Sequence, residues 1–318
     1  MPAYSTKTAD LLDNIKAAIK TEVTPHGELS SVKQVRVGSV RNPAAFPFIT
    51  IIPIEERNRG IQNGNMINVR KIRIEVYANK AKSKDSMRAV MGMIEQVKNI
   101  FKLDSSYWQI PPDADIDSDP TVYDLQINSI GSSDKSIPFR NGFIHSASME
   151  IDCYSKDLLN PEVDGTSSNS IIETDAKTLI DTITNTYKGY KTGANAVLSS
   201  TKGFKSFTLP PSPHYPIIFV GIEGESRDHT FTGKDVISRS ISINIITQMG
   251  SKEESLRKNL LIADYCRQIL LANRDFGGRV VHYDYDGILF GQLTGDNGKL
   301  LYGSSLKFTA QNYETMLN

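Results

Sequence analysis

Two segments alternate apolar and polar residues with a period of two, and each is followed by a segment with apolar residues at helical spacing. In segment 69–77, Ile72, Ile74 and Val76 share one face while Arg73 and Glu75 point the other way, which predicts a half-buried strand. Segment 236–246 repeats the pattern with Ile237, Ile241, Ile243 and Ile245. Before each lies a short apolar run, 48–52 and 217–222, read as a strand. The stretches between, 55–65 and 224–235, are polar and rich in Gly and Asn, so each strand pair predicts a hairpin with a long projecting arm. Met87, Val90, Met91, Ile94, Val97 and Phe101 then form one helical stripe, which puts Met87 and Met91 on the buried face. Leu256, Leu260, Ala263 and Leu270 form a second stripe, opened by Ser251 and Glu254 at capping-box spacing. Leu11, Leu12, Ile15 and Ile19 predict an earlier helix, as do Leu179, Ile180, Ile183 and Tyr187. Closing strands are expected at 121–130 and 143–154, and again near 279–293 and 300–313.

These elements superpose at a shift of 169 residues. Pro47 falls on Pro216, Arg70 on Arg239, Ile72, Ile74 and Val76 on Ile241, Ile243 and Ile245, and Met87, Met91 and Phe101 on Leu256, Leu260 and Leu270. The opening helices match at 168 and the last strands at 157, so the second copy lacks a counterpart of the loop 104–120. The predicted fold is α+β: two tandem copies of an antiparallel sheet packed with helices on one face. The first copy spans 1–155, a polar linker 156–170, and the second copy 171–318.

A chain of 318 residues agrees with two domains. Basic and acidic residues balance at 36 each, and neither half has a basic excess, so composition gives no support for sequence-specific nucleic-acid binding. Cys153 and Cys266 belong to no C-x-x-C pair, which argues against a disulfide scaffold or zinc site and fits a reducing compartment. The N-terminus has no signal-like apolar run and no stretch reaches membrane-spanning length, so neither secretion nor membrane insertion is expected.

Candidate chemistry is sparse. Asp113, Asp115, Asp117 and Asp119 alternate in DADIDSD, and Asp124 stands where a twelfth calcium ligand would come. Ser118 occupies the position that needs Gly, and Pro120 interrupts, which favours a solvated acidic loop. His26, His145, His214, His229 and His282 show no metal-binding spacing, and no nucleophile elbow, zincin, Walker or dinucleotide motif is present. Gly277 and Gly278 read as a C-cap or turn. No catalytic, cofactor or metal residues are assigned, and no enzyme activity is expected. The remaining candidates are contact residues. Trp108, in a Pro-rich loop, reads equally as an interface anchor or a cap over its own core. The arms carry Arg57, Arg59, Asn63 and Asn65 in one copy and Arg227, Asp228, His229 and Lys234 in the other. A long arm is costly to order unless it meets something, so two of them suggest contacts with neighbours.

The order of elements resembles the tail terminator, or tail completion, proteins of long-tailed bacteriophages. The resemblance rests on the opening helix Leu11 to Ile19, the FPFITIIP entry, the hairpin ending in KIRIEVYA and the helix 84–102 with its closing strands. YPIIFVGIE, SISINIIT and helix 252–271 repeat it. It implies a structural virion protein that forms a ring on the tail tube, stops its polymerisation and joins the tail to the head connector. The implied partners are copies of itself, the tube protein and the head–tail connector protein, and assembly would take place in the host cytoplasm. Family members usually have one domain. Two domains per chain leave open a trimer with pseudo-sixfold symmetry or a hexamer. Another tail component, such as a tube protein or baseplate adaptor, is the alternative, followed by a metal-dependent enzyme using Asp113–Asp119.

Overall fold

The computed structural model describes residues 8–24, 29–38, 45–62, 65–103, 122–132, 137–139, 142–158, 175–192, 196–207, 214–229, 234–249, 251–294 and 300–315. The chain divides into two compact units, Ala3–Leu158 and Leu159–Asn318, each with its own core. Both are α+β.

In the N-terminal unit, α1 (Thr8–Thr21) is followed by β1 (Gln34–Val37), β2 (Phe48–Gln62), β3 (Asn65–Lys80), α2 (Ser83–Leu103), β4 (Val122–Ser132), β5 (Ile137–Phe139) and β6 (Gly142–Leu158). Pairing gives the order β1-β2-β3-β6-β4, with β5 also on β6. The C-terminal unit contains α3 (Ala176–Gly189), β7 (Gly203–Ser206), β8 (Ile217–His229), β9 (Lys234–Thr247), α4 (Lys252–Ala272), β10 (His282–Thr294) and β11 (Leu300–Thr315). Its order is β7-β8-β9-β11-β10.

Both sheets are mixed rather than antiparallel, because β1 runs parallel to β2 and β7 parallel to β8. The expected short strands 48–52 and 217–222 are longer: β2 and β8 continue through the polar stretches, so the arms are themselves ladders. Backbone pairing does not require apolar side chains, and the alternation rule cannot see it where they are polar. Lys156, Asp157 and Leu158, placed in the linker by composition, continue β6 opposite Ile67, Met66 and Asn65.

Local details coincide at the same shift. The Lys33 N–H donates to the Pro47 carbonyl at 2.8 Å and that of Lys202 to Pro216 at 2.7 Å. Gly38 and Phe207, whose N–H groups bond Ile51 and Val220, both have positive φ, 90° and 68°. The register slips between Pro53 and Glu55, and between Ile222 and Gly224. Leu29 and Leu198 are both fully buried. On the helix-free face, Phe46 meets Phe48 edge-on at 5.2 Å and Phe48 stacks on Tyr77 at 4.5 Å, where the C-terminal unit has Tyr215, Ile217 and Ile246.

The helices pack over the centre of each sheet. In α2 the buried stripe is Ser86, Val90, Met93, Ile94, Val97, Ile100 and Phe101, and α4 buries Ser255, Asn259, Ile262, Ala263, Cys266, Ile269 and Leu270 at the same positions. Met91 is therefore exposed, at 37%, and Met87 only half-buried, contrary to the stripe drawn from sequence. Met93 and Ile100 centre the buried arc about one residue away, which turns Met91 off the sheet. In α4 the Ser251 side chain accepts from the Glu254 N–H at 3.1 Å. Gly277 and Gly278, at φ 73° and 81°, form the turn beyond the cap Asn273.

Candidate assembly interface

Each arm is rooted in an Arg–Glu pair whose guanidinium is buried. Arg70 on β3 lies on the inward face with Ile72 and Ile74 and is 1% exposed. Its Nε is 2.8 Å from Oε2 of Glu56 on β2, a side chain with no exposed area. The same Nε donates to Thr8 Oγ1 at 3.2 Å, and Nη1 donates to Ser155 on β6. One guanidinium thus ties the arm's root to the start of the opening helix and to the last strand of the unit.

The C-terminal unit builds the same knot from the same positions. Arg239 on β9 is 1% exposed, and its Nε donates to Glu225 Oε2 at 2.8 Å. Its Nη1 donates to Asn312 on β11. Glu225 stands 169 residues after Glu56, and Asn312 takes the place of Ser155 on the closing strand. Asp175, which caps α3, is held below the usual carboxylate range, first by the Thr178 N–H, then by the Thr178 hydroxyl, with a smaller share from Arg239. The pairs differ in solvation, since the Glu225 side chain is 37% exposed.

Beyond the roots, the arms diverge in side chains. Arg57 is exposed and sits 2.8 Å from Glu55, which also holds Lys71 at 3.2 Å on the helix-free face. Arg59 is exposed on the same strand. Arg227 is exposed, 3.8 Å from Glu225, and lies opposite Ile237 on the inward side. Arg57 and Arg227 therefore sit on opposite faces of their arms, and the structure does not bring them to equivalent places. Lys234 opens β9. Asn63, Trp108 and the acidic run Asp113–Asp119 lie outside the described residues.

The repeat matches Arg70 to Arg239, yet neither was among the candidate contact residues. The signal was parity: Arg70 shares its face with Ile72 and Ile74, and Arg239 with Ile241 and Ile243.

Among the described residues no group of three or more His, Cys, Asp or Glu is placed to hold a metal, and no helix is long and apolar enough to cross a membrane. Cys153 and Cys266 are free and buried, and burial pushes the Cys153 thiol up to about 12.

No protein-family model matches the chain, and no curated protein matches it. A chain from the virion of the native gene transfer agent (GTA) particle is similar in structure, with a TM-score of 0.22 and 14% identity, over 44% of this chain and 99% of that one.

Proposed function

We propose that this chain consists of two copies of one domain and forms a ring in a phage or phage-like particle. The ring caps the tail tube, ends its polymerisation and joins the tail to the head connector. The observation that supports this reading is the pair of arms, each rooted by an Arg–Glu pair at the same positions. A buried guanidinium is expensive to desolvate, and an arm that carries only one further strand along its length, β6 or β11, has little core of its own to repay its ordering. Fixing the root of such an arm makes sense where its direction matters, as in a contact with a neighbouring subunit. A closed ring needs a different surface on each side of the repeating element, and the arm that each unit carries offers one such surface. Arg57, Arg59, Asn63, Trp108, Arg227 and Lys234 are the contact residues in this reading. No catalytic role is proposed.

Negative-stain microscopy with mass photometry of the purified chain tests it. Closed rings of three or six chains are the expected outcome. Open-ended tubes would replace the cap by a tube protein, and single chains at every concentration would overturn the reading.

A further inference from the structure

The start of α2 gathers donors and positive charge that nothing in its unit answers. One of the donors is held from inside the unit, by His145 on β6. This ring is 3% exposed and lies on the inward face of its strand with Ala147 and Met149. Its Nε2 is 3.3 Å from the hydroxyl of Ser83, the first residue of α2, and its Nδ1 is buried without a hydrogen-bond partner. A neutral imidazole carries one donor and one acceptor. Hydrogen on Nδ1 would bury an unmet donor, so the less costly tautomer donates from Nε2 to Ser83 Oγ. The hydrogen of the Ser83 hydroxyl is then left over, and no acceptor for it stands among the described residues.

The helix end around Ser83 is unmet in the same way. A helix N-terminus leaves N–H groups without intrahelical partners and presents the positive end of the dipole. On α4 both are answered: Ser251 caps the helix, and Glu253 and Glu254 stand in its first turn. The same positions on α2 hold Lys82, Lys84 and Asp85. Lysine has no acceptor to offer. Among the described residues, the exposed Asp85 accepts no hydrogen bond, and the Ser83 and Lys84 N–H groups meet no acceptor. Lys80, Lys82, Lys84 and Arg88 are exposed, and none of them pairs with a described acid. Cations at this end of a helix add to the dipole's field instead of offsetting it. From the buried ring, the open donors and the unpaired cations, we infer that the N-terminus of α2 binds a phosphate oxyanion, free or in a nucleic-acid backbone. The Ser83 hydroxyl and the Ser83 and Lys84 N–H groups donate to it, Lys82 and Lys84 balance its charge, and His145 positions Ser83. Phosphate suits this set better than a carboxylate, because it presents more acceptor oxygens and more charge to several donors at once. Such a contact reads phosphate and no base, so it carries no sequence preference. It uses one unit alone and goes beyond the ring reading without depending on it.

Lys82→Ser tests it, because it gives α2 the cap that Ser251 gives α4 and removes one cation. Lys177→Ser is the control: it removes an equal exposed charge from the first turn of α3, which Asp175 already caps. Melting of the full chain is followed in inorganic phosphate and in sodium chloride of equal ionic strength. In chloride, Lys82→Ser is expected to melt above wild type, which shows that it folds. Phosphate is expected to raise the melting temperature of wild type and Lys177→Ser alike, and that of Lys82→Ser by less. Fluorescence anisotropy with a labelled duplex oligonucleotide separates the two sources. Duplex binding that weakens with salt and is about tenfold weaker in Lys82→Ser assigns the site to backbone phosphate. A phosphate shift lost in Lys82→Ser, with no duplex binding, assigns it to the free ion. Phosphate shifts and duplex affinities both equal in wild type and Lys82→Ser overturn the inference, as does an equal loss in Lys177→Ser. Polyglutamate that binds as tightly as the duplex and is lost in the same variant puts a carboxylate in place of phosphate, and also overturns it. None of these readouts needs assembly, so a chain that stays single overturns the ring reading and leaves this one standing.

Discussion

Arg70 and Glu56 lose almost all contact with water, so their attraction is weakly screened and each depends on the other for charge compensation. Removing one partner strands a charge in the core. Arg70→Ala is expected to cost about 3–5 kcal/mol in urea unfolding. The double replacement Arg70→Met with Glu56→Leu is expected to cost less than Arg70→Ala alone, because no charge is orphaned. A double variant as unstable as the single would mean that the ties to Thr8 and Ser155 carry the loss instead. Arg239→Ala should cost less than Arg70→Ala, since the partly exposed Glu225 can turn its carboxylate to water.

At the scale of elements, periodicity made the helices and the apolar halves of the strands legible. Ile72, Ile74 and Val76 against Arg73 and Glu75 state a strand outright, and Val90, Ile94 and Val97 state a helix. It failed where apolar burial is not what orders the chain. The outer halves of β2 and β8 are held by backbone pairing, and the four-residue strands β1 and β7 are too short to show a period. The flank of α2 was misjudged by about one residue, because Met87 and Met91 are as apolar as the residues beneath the helix and sequence cannot tell a covered face from a coverable one. Helix ends were clearer, as at Asp175, whose carboxylate accepts from the Thr178 N–H at 2.7 Å and its hydroxyl at 3.0 Å. Asp175→Ala is expected to cost about 1 kcal/mol. The folded pKa lies below the ordinary aspartate value, so the cap's charged contribution is fully present above that ordinary value and is lost as pH falls through the lower folded one. Asp175→Asn keeps an acceptor but no charge, so its unfolding free energy should depend less on pH in the acid range than that of wild type. Identical pH profiles would remove the charge from the account.

At the scale of the molecule, two units with the same knot and unlike arm surfaces pose the question of stoichiometry. If both units occupy equivalent places, three chains complete a ring of six and each arm makes the same kind of contact. If six chains each place one unit in the ring, only that unit's arm bears on closure. Shortening the arms separately discriminates the two. Replacing 58–66 in one variant and 227–235 in another with a two-residue Asn-Gly turn keeps Arg70–Glu56 and Arg239–Glu225 in place, so both variants should melt cooperatively near wild type. On the proposed ring reading we expect the three-chain form, because a unit whose arm met nothing would gain little from burying a guanidinium beneath it. Both shortened chains are therefore expected to fail to assemble, to a similar degree, in mass photometry. Loss confined to one variant would instead assign ring closure to that unit and give six chains. Unimpaired assembly of both would show that closure runs through other surfaces, leaving the arms to meet the tube or the connector.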